Sequence, residues 1–278
     1  MRVIYTIAEL RESLRGITGI ALVPTMGNLH QGHLDLVQIA RQQGQFVVVS
    51  IFVNPLQFGV NEDYSTYPRA LEQDCKMLEQ CGVDVVFAPN ECELYPQPQQ
   101  VAVELPPIAN ELCGASRPGH FRGAATVVLK LFNIVQPHIA VFGKKDYQQL
   151  YLMRLMTAQL NLPVEINGGD TVRASDGLAL SSRNQYLNVA ERTEATFLYQ
   201  TLVGIRLAII DGATDFLTLE QQAIDVLTVR GWQVDYVAIR AQANLAEPIA
   251  CECKLVILAA AWQGKTRLID NLEVFKDR

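Results

Sequence analysis

The chain has little positive charge. Its 278 residues carry 23 Lys and Arg against 29 Asp and Glu, a formal net charge of −6. Proteins that bind nucleic acid in general present a basic surface, so this composition argues against a nucleic-acid partner. Long apolar runs are lacking too, since none approaches the ~20 residues that span a membrane. We therefore expect neither a nucleic-acid nor a membrane partner.

The chain also lacks Cys-x-x-Cys spacing, and its first residues do not predict a signal peptide. The six cysteines include no Cys-x-x-Cys pair, which disfavours the usual zinc and redox motifs. Glu9, Arg11 and Glu12 interrupt any apolar segment of the kind a signal peptide needs. These features predict a cytoplasmic protein with reduced, mostly structural thiols. Cys251 and Cys253 are predicted to share one face of a strand and to pack there rather than bind metal.

Two common nucleotide-binding motifs are absent. The chain contains no Gly-x-Gly-x-x-Gly and no Gly-x-x-x-x-Gly-Lys-Ser/Thr. A nicotinamide dehydrogenase and a P-loop kinase are therefore disfavoured. Apolar residues make up 49% of the chain, enough for a sizeable core and too many for a disordered protein.

What the chain does contain is an alternation of apolar runs and amphipathic stretches. The predicted strands are residues 20–25, 46–53, 83–88 and 139–142. The predicted helices are residues 32–43, 68–80, 123–135 and 146–160. Strand and helix in alternation predict a parallel sheet with helices on both faces. Residues 101–105 are predicted to add an edge strand.

The pattern changes near Gly169. Beyond it, residues 189–211 and 218–230 are predicted to be helical, and residues 232–240 and 255–262 to be strands. We therefore predict an α/β protein with two domains. The first is a parallel-sheet domain over residues 1–169, and the second is a smaller α+β domain over residues 170–278.

The most informative segment is Met26-Gly27-Asn28-Leu29-His30-Gln31-Gly32-His33, which joins the first long strand to a helix. Ligands of parallel sheets bind beyond the carboxyl ends of the strands. A helix N-terminus carries unpaired N–H groups and partial positive charge, so it suits a phosphate. Two histidines three residues apart lie on one side of such a turn. The segment predicts a nucleotide-triphosphate site; the alternative is two surface histidines at a polar helix start.

Asn54-Pro55-Leu56-Gln57-Phe58 follows the next strand. Its amide side chains can donate and accept hydrogen bonds, which suits a hydroxylated organic acid better than a phosphate. Taken alone, this segment is more typical of a structural turn in which Asn54 and Gln57 bind backbone groups.

Two further segments favour phosphate binding. In Gly143-Lys144-Lys145-Asp146 a lysine lies beside a helix start, and Asp146 can cap that helix or hold Mg²⁺. In Ser181-Ser182-Arg183-Asn184 two hydroxyls precede a guanidinium, a combination that binds phosphate. The alternatives are a solvated charged loop for the first segment and a helix cap for the second. The Pro/Gly-rich loop at residues 116–123 is of a kind that often forms a lid.

Together these segments resemble the pantothenate synthetase family in order and spacing over essentially the whole chain. The matching residues are Pro24-Thr25-Met26-Gly27, His30-x-Gly32-His33, Asn54-Pro55-x-Gln57-Phe58, Pro118-Gly119-His120-Phe121, Phe142-Gly143-x-Lys145-Asp146-x-Gln148-Gln149 and Ser181-Ser182-Arg183-Asn184. The resemblance implies a Rossmann-like N-terminal domain and a homodimer. It also implies a ligase that joins (R)-pantoate to β-alanine with ATP and Mg²⁺. The reaction would pass through pantoyl adenylate and release AMP and pyrophosphate.

The resemblance also implies roles for individual residues. The catalytic set would be His30, His33, Lys145 and Arg183, with His33 as proton donor. Gln57 and Gln149 would bind pantoate, Gln57 would also meet β-alanine, and Asp146 would be the metal ligand. The implied ATP contacts are Met26, Gly27, Asn28, Leu29, His30, Gln31, Gly32, His33, Gly143, Lys144, Lys145, Asp146, Val172, Leu180, Ser181, Ser182 and Arg183.

Two positions depart from the family pattern. Lys144 stands where Glu is usual, and Leu180 where Met is common. Leu for Met preserves an apolar contact, whereas Lys144 would add positive charge near the triphosphate. Two other functions stay open at this point. One is a nucleotidylyltransferase with the same His-x-Gly-His motif, whose second substrate site would be basic rather than rich in amides. The other is a nucleotide-binding regulator without catalysis.

Overall fold

The computed structural model describes residues 1–60, 62–249 and 251–276. The chain divides into two compact units. The first comprises Met1–Lys144 and Gln149–Asp170, and the second comprises Lys145–Gln148 and Thr171–Arg278. The short segment 145–148 thus groups with the second unit although it lies within the sequence of the first.

The first unit is a parallel sheet with helices. Its strands are β1 (Arg2–Ile4), β2 (Ile20–Thr25), β3 (Phe46–Ile51), β4 (Val85–Phe87), β5 (Ile139–Gly143) and β6 (Glu165–Gly169). Its helices are α1 (Ile7–Ser13), α2 (Gln31–Gln43), α3 (Leu71–Gln80), α4 (Glu91–Leu94), α5 (Cys113–Ser116), α6 (His120–Val135) and α7 (Tyr147–Gln159), the last of which begins in the segment that groups with the second unit. The parallel α/β architecture predicted from the sequence is confirmed.

The strand order creates a switch point beside β2. The sheet runs β1-β4-β3-β2-β5-β6, with every pair parallel. The chain moves outward from β2 through β3 to β4, then returns to the other side of β2 for β5 and β6. Pairing of β2 with β3 runs on to Thr25, but pairing with β5 covers Ala21 and Leu22. The two strands therefore part before β2 ends, which opens the crevice where sheets of this type bind ligands.

Both faces of the central strands are buried, which explains their continuous apolar sequences. Ala21 and Val23 of β2 belong to one apolar cluster together with Leu36 and Val37 of α2. The alternate residue Leu22 points to the opposite face and is also fully buried. Helix α6 packs against β2. The carboxyl end of β2 and the start of α2 are thus held on a rigid frame.

The second unit is a small α+β structure. It contains α8 (Val189–Glu194), α9 (Thr196–Ile210), α10 (Phe216–Val229), β7 (Gln233–Ala241), β8 (Lys254–Gln263) and β9 (Thr266–Phe275). The three strands form an antiparallel meander in the order β7-β8-β9. Leu198 and Leu202 of α9 and Leu227 of α10 pack with Ile257 of β8 in one core.

Some predicted elements differ from the structure. Residues 101–105 form no strand, because the backbone N–H of Val103 donates to Thr126 Oγ1 of α6 (3.1 Å) instead of to a neighbouring strand. Cys251 and Cys253 precede β8, and Cys251 is exposed, so the shared strand face is also wrong. All six cysteines lie in the described ranges, and none of them forms a disulfide. Across the described ranges, no helix is long and apolar enough to cross a membrane.

Candidate active site

The loop after β2 depends on two residues with left-handed backbone conformation. Gly27 has φ of 80° and Asn28 has φ of 51°. A Cβ atom on Gly27 would lie 3.0 Å from both Asp74 Oδ2 and Ile51 Cγ2, so this position favours glycine for space as well as for φ. The chain turns sharply here and enters α2 within four residues.

Asp74 of α3 holds this loop in place. Its two carboxylate oxygens accept hydrogen bonds from the backbone N–H groups of Asn28 and Leu29, both at 2.8 Å. The side chain is 1% exposed. Burial raises the pKa of Asp74, and the two amide hydrogen bonds oppose that rise without cancelling it. A buried carboxylate on a neighbouring helix therefore sets the approach to the histidine motif.

The two histidines form a reciprocal cap at the start of α2. His30 is the N-cap, and its Nδ1 accepts from Gly32 N (3.1 Å), while His33 Nδ1 accepts from His30 N (3.3 Å). Their ring centroids are 4.1 Å apart. A backbone N–H can only donate, so each neutral ring must carry its proton on Nε2. The cap thereby turns both imidazoles into Nε2–H donors of fixed tautomer.

The backbone N–H groups at the start of α2 are not unpaired, contrary to the reason for which the sequence predicts phosphate binding there. The sequence predicts unpaired backbone N–H groups at this helix start, but those of Asn28, Leu29, His30 and Gly32 all have acceptors within the protein. The positive end of the helix dipole remains. The hydrogen bonds to a phosphate would come from the imidazole Nε2 atoms rather than from these amides.

The loop after β3 is a one-turn 3-10 helix, Pro55–Gln57, capped by Asn54. Asn54 and Gln57 are buried, with 1% and 8% exposure. Gln57 Nε2 lies 3.1 Å from Met26 Sδ. The structure thus brings together a residue predicted to bind pantoate and a residue predicted to contact ATP. Gly123 permits this packing, because a Cβ there would overlap the carbonyl of Leu56.

A charged clamp fixes the backbone of the same loop. Arg117 binds both carboxylate oxygens of Glu62, at 2.8 and 2.5 Å. His120 Nδ1 contacts Gln57 O (2.8 Å), and its Nε2 faces Arg117 (3.0 Å). Arginine is a donor only, so His120 must accept at Nε2 and donate from Nδ1 to the carbonyl. Residues 116–123, predicted as a lid loop, thus include the end of α5, the start of α6 and this clamp.

The segment after β5 carries the third set of predicted residues. Gly143 ends the strand, and Lys144 and Asp146 belong to a one-turn 3-10 helix in which Asp146 is exposed. Lys144 Nζ forms an ion pair with Asp170 (2.8 Å), so the charge that departs from the family pattern is partly neutralised. Gln149 is half-buried in the first turn of α7.

In the second unit, Val172 and Leu180 are joined by a hydrogen bond from Leu180 N to Val172 O (2.9 Å). Ser181 caps the 3-10 helix Ser182–Tyr186 by accepting from Arg183 N (3.3 Å). A capping role for Ser181 is therefore real, while Asn188 separately caps α8.

Lys145 and Ser181 line one cleft of this unit, together with Asn184 and Asp270. Asn271 Nδ2 donates to Lys145 O (2.9 Å), which ties the lysine to β9. Arg173 holds the same strand by a two-point ion pair with Asp270, at 2.6 and 2.8 Å. The structure thus brings predicted phosphate contacts distant in sequence to one place.

Sequence reasoning missed the residues that support the site. Asp74 lies in an amphipathic helix, and Tyr95, whose hydroxyl donates to Asn54 Oδ1 (2.8 Å), lies in a Pro-rich stretch. Neither has a local sequence pattern that indicates its partner. His120 stands out in the sequence only as part of a matched motif. Among the described residues, no group of three or more His, Cys, Asp or Glu side chains is arranged to hold a metal ion.

Comparison with known proteins gives a consistent result. A family model described as pantoate-beta-alanine ligase matches residues 2–273. The chain is 55% identical over 273 residues to pantothenate synthetase of Methylobacillus flagellatus, and 58% identical over 271 residues to that of Nitrosomonas europaea. In each case 98% of both chains is covered.

Solved structures agree. The pantothenate synthetase of Thermus thermophilus superposes with a TM-score of 0.94 at 45% identity, covering 99% of this chain and 100% of that one. The pantoate-beta-alanine ligase of Francisella tularensis, crystallised with "Beta-gamma ATP" and β-alanine, gives a TM-score of 0.84 at 34% identity, covering 98% and 97%.

Proposed function

We propose a residue-level mechanism for this chain, which belongs to the pantoate–β-alanine ligase family. The enzyme condenses pantoate with β-alanine at the expense of ATP, and its product is pantothenate. The pair of locked histidines at the start of α2 is the observation that carries the mechanism, because it presents two donors of fixed tautomer at the switch point of the sheet.

The first step activates pantoate. A carboxylate is a poor acyl donor and must first be activated. Its oxygen attacks the α-phosphorus of ATP, the bond from that phosphorus to the oxygen bridging the α- and β-phosphates breaks, and pyrophosphate leaves. The product is pantoyl adenylate. Negative charge builds on the phosphate oxygens, and preorganised N–H donors stabilise such charge. We assign this task to the Nε2–H groups of His30 and His33, with Lys145 and Arg183 as cationic contacts.

The second step forms the amide. The β-alanine amine attacks the acyl carbon of pantoyl adenylate, and the nitrogen loses a proton. AMP leaves with the oxygen that joined the acyl carbon to phosphorus. Both nucleophiles are substrates, so the mechanism needs no protein nucleophile. Gln57 and Gln149 are proposed to hold pantoate. The sulfur of Met26 lies 3.1 Å from the amide nitrogen of Gln57.

Mg²⁺ is proposed as the partner of the ATP phosphates, where it would neutralise charge. Magnesium is usually held by one or two carboxylates, substrate phosphates and water, so it does not need a dedicated cluster of side chains. The exposed Asp146 fits this requirement as a single carboxylate donor. We also propose, from the family, that the chain acts as a cytoplasmic homodimer.

Nucleotidylyl transfer is the second candidate. It would use the same histidine pair but move AMP onto a phosphate of its second substrate. Beside Met26 lie two amide side chains, those of Asn54 and Gln57. Neutral amides suit hydroxyl groups and a single carboxylate, which favours pantoate.

Isotope exchange tests the order of steps. With ATP and pantoate but no β-alanine, we expect the enzyme to exchange labelled pyrophosphate into ATP. In the full reaction, oxygen-18 from the pantoate carboxylate should appear in AMP. Release of orthophosphate and ADP, with the label in phosphate, would instead indicate an acyl phosphate. Absence of pantothenate with all three substrates would overturn the proposed activity as a whole.

A further inference from the structure

We propose that Tyr95 is a positioning residue that acts through Asn54 to fix the Gln57 amide as a hydrogen-bond donor toward pantoate. This inference rests on the proposed role of Gln57 and adds the polarity of its contact. Three side chains form a relay from Tyr95 Oη to Asn54 and from Asn54 to Gln57.

The orientation of the Asn54 amide is set by backbone groups of fixed polarity. Its Nδ2 donates to Gly123 O (3.2 Å), and its Oδ1 accepts from Leu56 N (3.3 Å). A carbonyl oxygen cannot donate and a backbone N–H cannot accept. The opposite orientation would therefore place like groups together at both ends of a side chain that is 1% exposed.

This orientation determines that of Gln57. Asn54 Nδ2 also donates to Gln57 Oε1 (3.0 Å), so the Gln57 oxygen is used inside the protein. The other end of the amide, Nε2, then lies 3.1 Å from Met26 Sδ. A thioether is a weak acceptor, so an N–H group beside it gains when a substrate oxygen arrives.

Tyr95 supplies the remaining bond of the relay. Its hydroxyl donates to Asn54 Oδ1 (2.8 Å). The ring contacts Phe52, with centroids 5.9 Å apart, and Lys130 Nζ lies 4.8 Å from its centroid. Burial raises the pKa of Tyr95, so the hydroxyl keeps its proton and remains a donor. Packing thus holds a permanent donor against the oxygen of Asn54.

A fixed donor has a consequence for specificity. The substrate atom that meets Gln57 Nε2 must be an acceptor, such as a hydroxyl or carboxylate oxygen. The ammonium group of β-alanine is a donor and is rejected at this point. The relay therefore assigns Gln57 Nε2 to an oxygen of pantoate, or to a carboxylate oxygen, and not to the amine of the second substrate.

The first experiment removes the hydroxyl of Tyr95. Tyr95→Phe keeps the ring and its packing, and Tyr64→Phe is the matched control because Tyr64 Oη donates to Glu91 (2.9 Å) elsewhere in the same unit. We expect the KM for pantoate to rise about 3- to 10-fold in Tyr95→Phe, the effect of one hydrogen bond, with the KM for ATP unchanged. Folding is checked by circular dichroism and urea unfolding. Equal pantoate KM values in the two variants would overturn the relay.

The second experiment tests polarity directly. Two pantoate analogues, each with one hydroxyl replaced by an amino group, are compared with pantoate in the wild type and in Gln57→Glu. Glutamate retains an oxygen for Asn54 but replaces the outward donor by an acceptor. For at least one analogue we expect strong discrimination by the wild type and a relative gain in Gln57→Glu.

Equal use of pantoate and both analogues by the wild type would refute the donor assignment. An enzyme that forms no pantothenate from natural substrates would instead refute the proposed function, so the two failures are distinguishable.

Discussion

Asp74→Ala gives a sharp test of how the histidine motif is held. The change removes the acceptors of two backbone N–H groups, those of Asn28 and Leu29. A buried unpaired donor costs about 1–3 kcal/mol. Leu29 is buried, whereas Asn28 is half-buried, so we expect a total loss of about 2–4 kcal/mol in the free energy of unfolding. Typical domains have an unfolding free energy of about 5–15 kcal/mol, so the variant should still fold.

The effect on catalysis should exceed the effect on folding. Without Asp74, the left-handed conformation of Asn28 loses its support, and the loop can relax into a less strained path. His30 and His33 follow directly in sequence, and a displacement of about 1 Å in a catalytic group can cost about 10²-fold in rate. We expect kcat/KM for ATP to fall by about 10²-fold while the KM for β-alanine changes little.

Glu72→Ala is the matched control. Glu72 is in the first turn of the same helix and carries the same charge toward the same helix dipole, but it is exposed. Its replacement should change the unfolding free energy by less than about 0.5 kcal/mol and leave the ATP kinetics intact. Urea unfolding and steady-state kinetics on both variants provide the measurement. Wild-type ATP kinetics in a folded Asp74→Ala protein would show that the carboxylate does not position the histidines.

Other perturbations test neighbouring parts of the site. His33→Ala should lower kcat by about 10²–10³-fold, as expected for a lost transition-state donor. Gln38→Ala, an exposed position of the same helix α2, should leave kcat unchanged, and equal kcat values in the two variants would refute the role of His33. Gly123→Ala should raise the KM for pantoate and destabilise the fold by about 1–3 kcal/mol, because the added Cβ overlaps the loop after β3. Its control is Gly204→Ala, where the added Cβ meets nothing within 4 Å, so urea unfolding should show a neutral or stabilising effect. Because burial raises the pKa of Asp74 above its unfolded value, the folded state takes up a proton first as pH falls. Stability from this group should therefore rise from neutral to mildly acidic pH, and a urea-unfolding series on Asp74→Asn should lack that dependence.

Strands were predictable where burial on both faces imposes a continuous apolar sequence. This holds for β2, which is Ile20 to Thr25 in both prediction and structure. It fails for β6, whose sequence Glu165-Ile166-Asn167-Gly168-Gly169 has weak strand propensity and is extended because it pairs with β5. Residues 101–105 show the reverse error, since an apolar stretch forms no strand when its backbone meets a helix side chain.

The residues of the candidate site also divide into those that the sequence predicts and those that it does not. Residues proposed to touch substrate lie in short motifs, because a ligand is surrounded by a few loops at the strand ends, and each loop is contiguous in sequence. Residues that hold those loops come from elsewhere. Asp74 reaches Asn28 across 46 positions, and Tyr95 reaches Asn54 across 41. No spacing rule connects such pairs, because their proximity is a product of the whole fold.

Polarity is the clearest case of what folding adds. In sequence, the amide of Gln57 is equally able to donate and to accept, and either assignment fits a hydroxy acid. The choice is made by the carbonyl of Gly123 and the N–H of Leu56, which orient Asn54 and through it Gln57. Similarly, both histidines can carry a proton on either nitrogen until the cap of α2 occupies Nδ1. In both places a motif provides the side chain, and backbone groups of fixed polarity decide which of its ends is a donor.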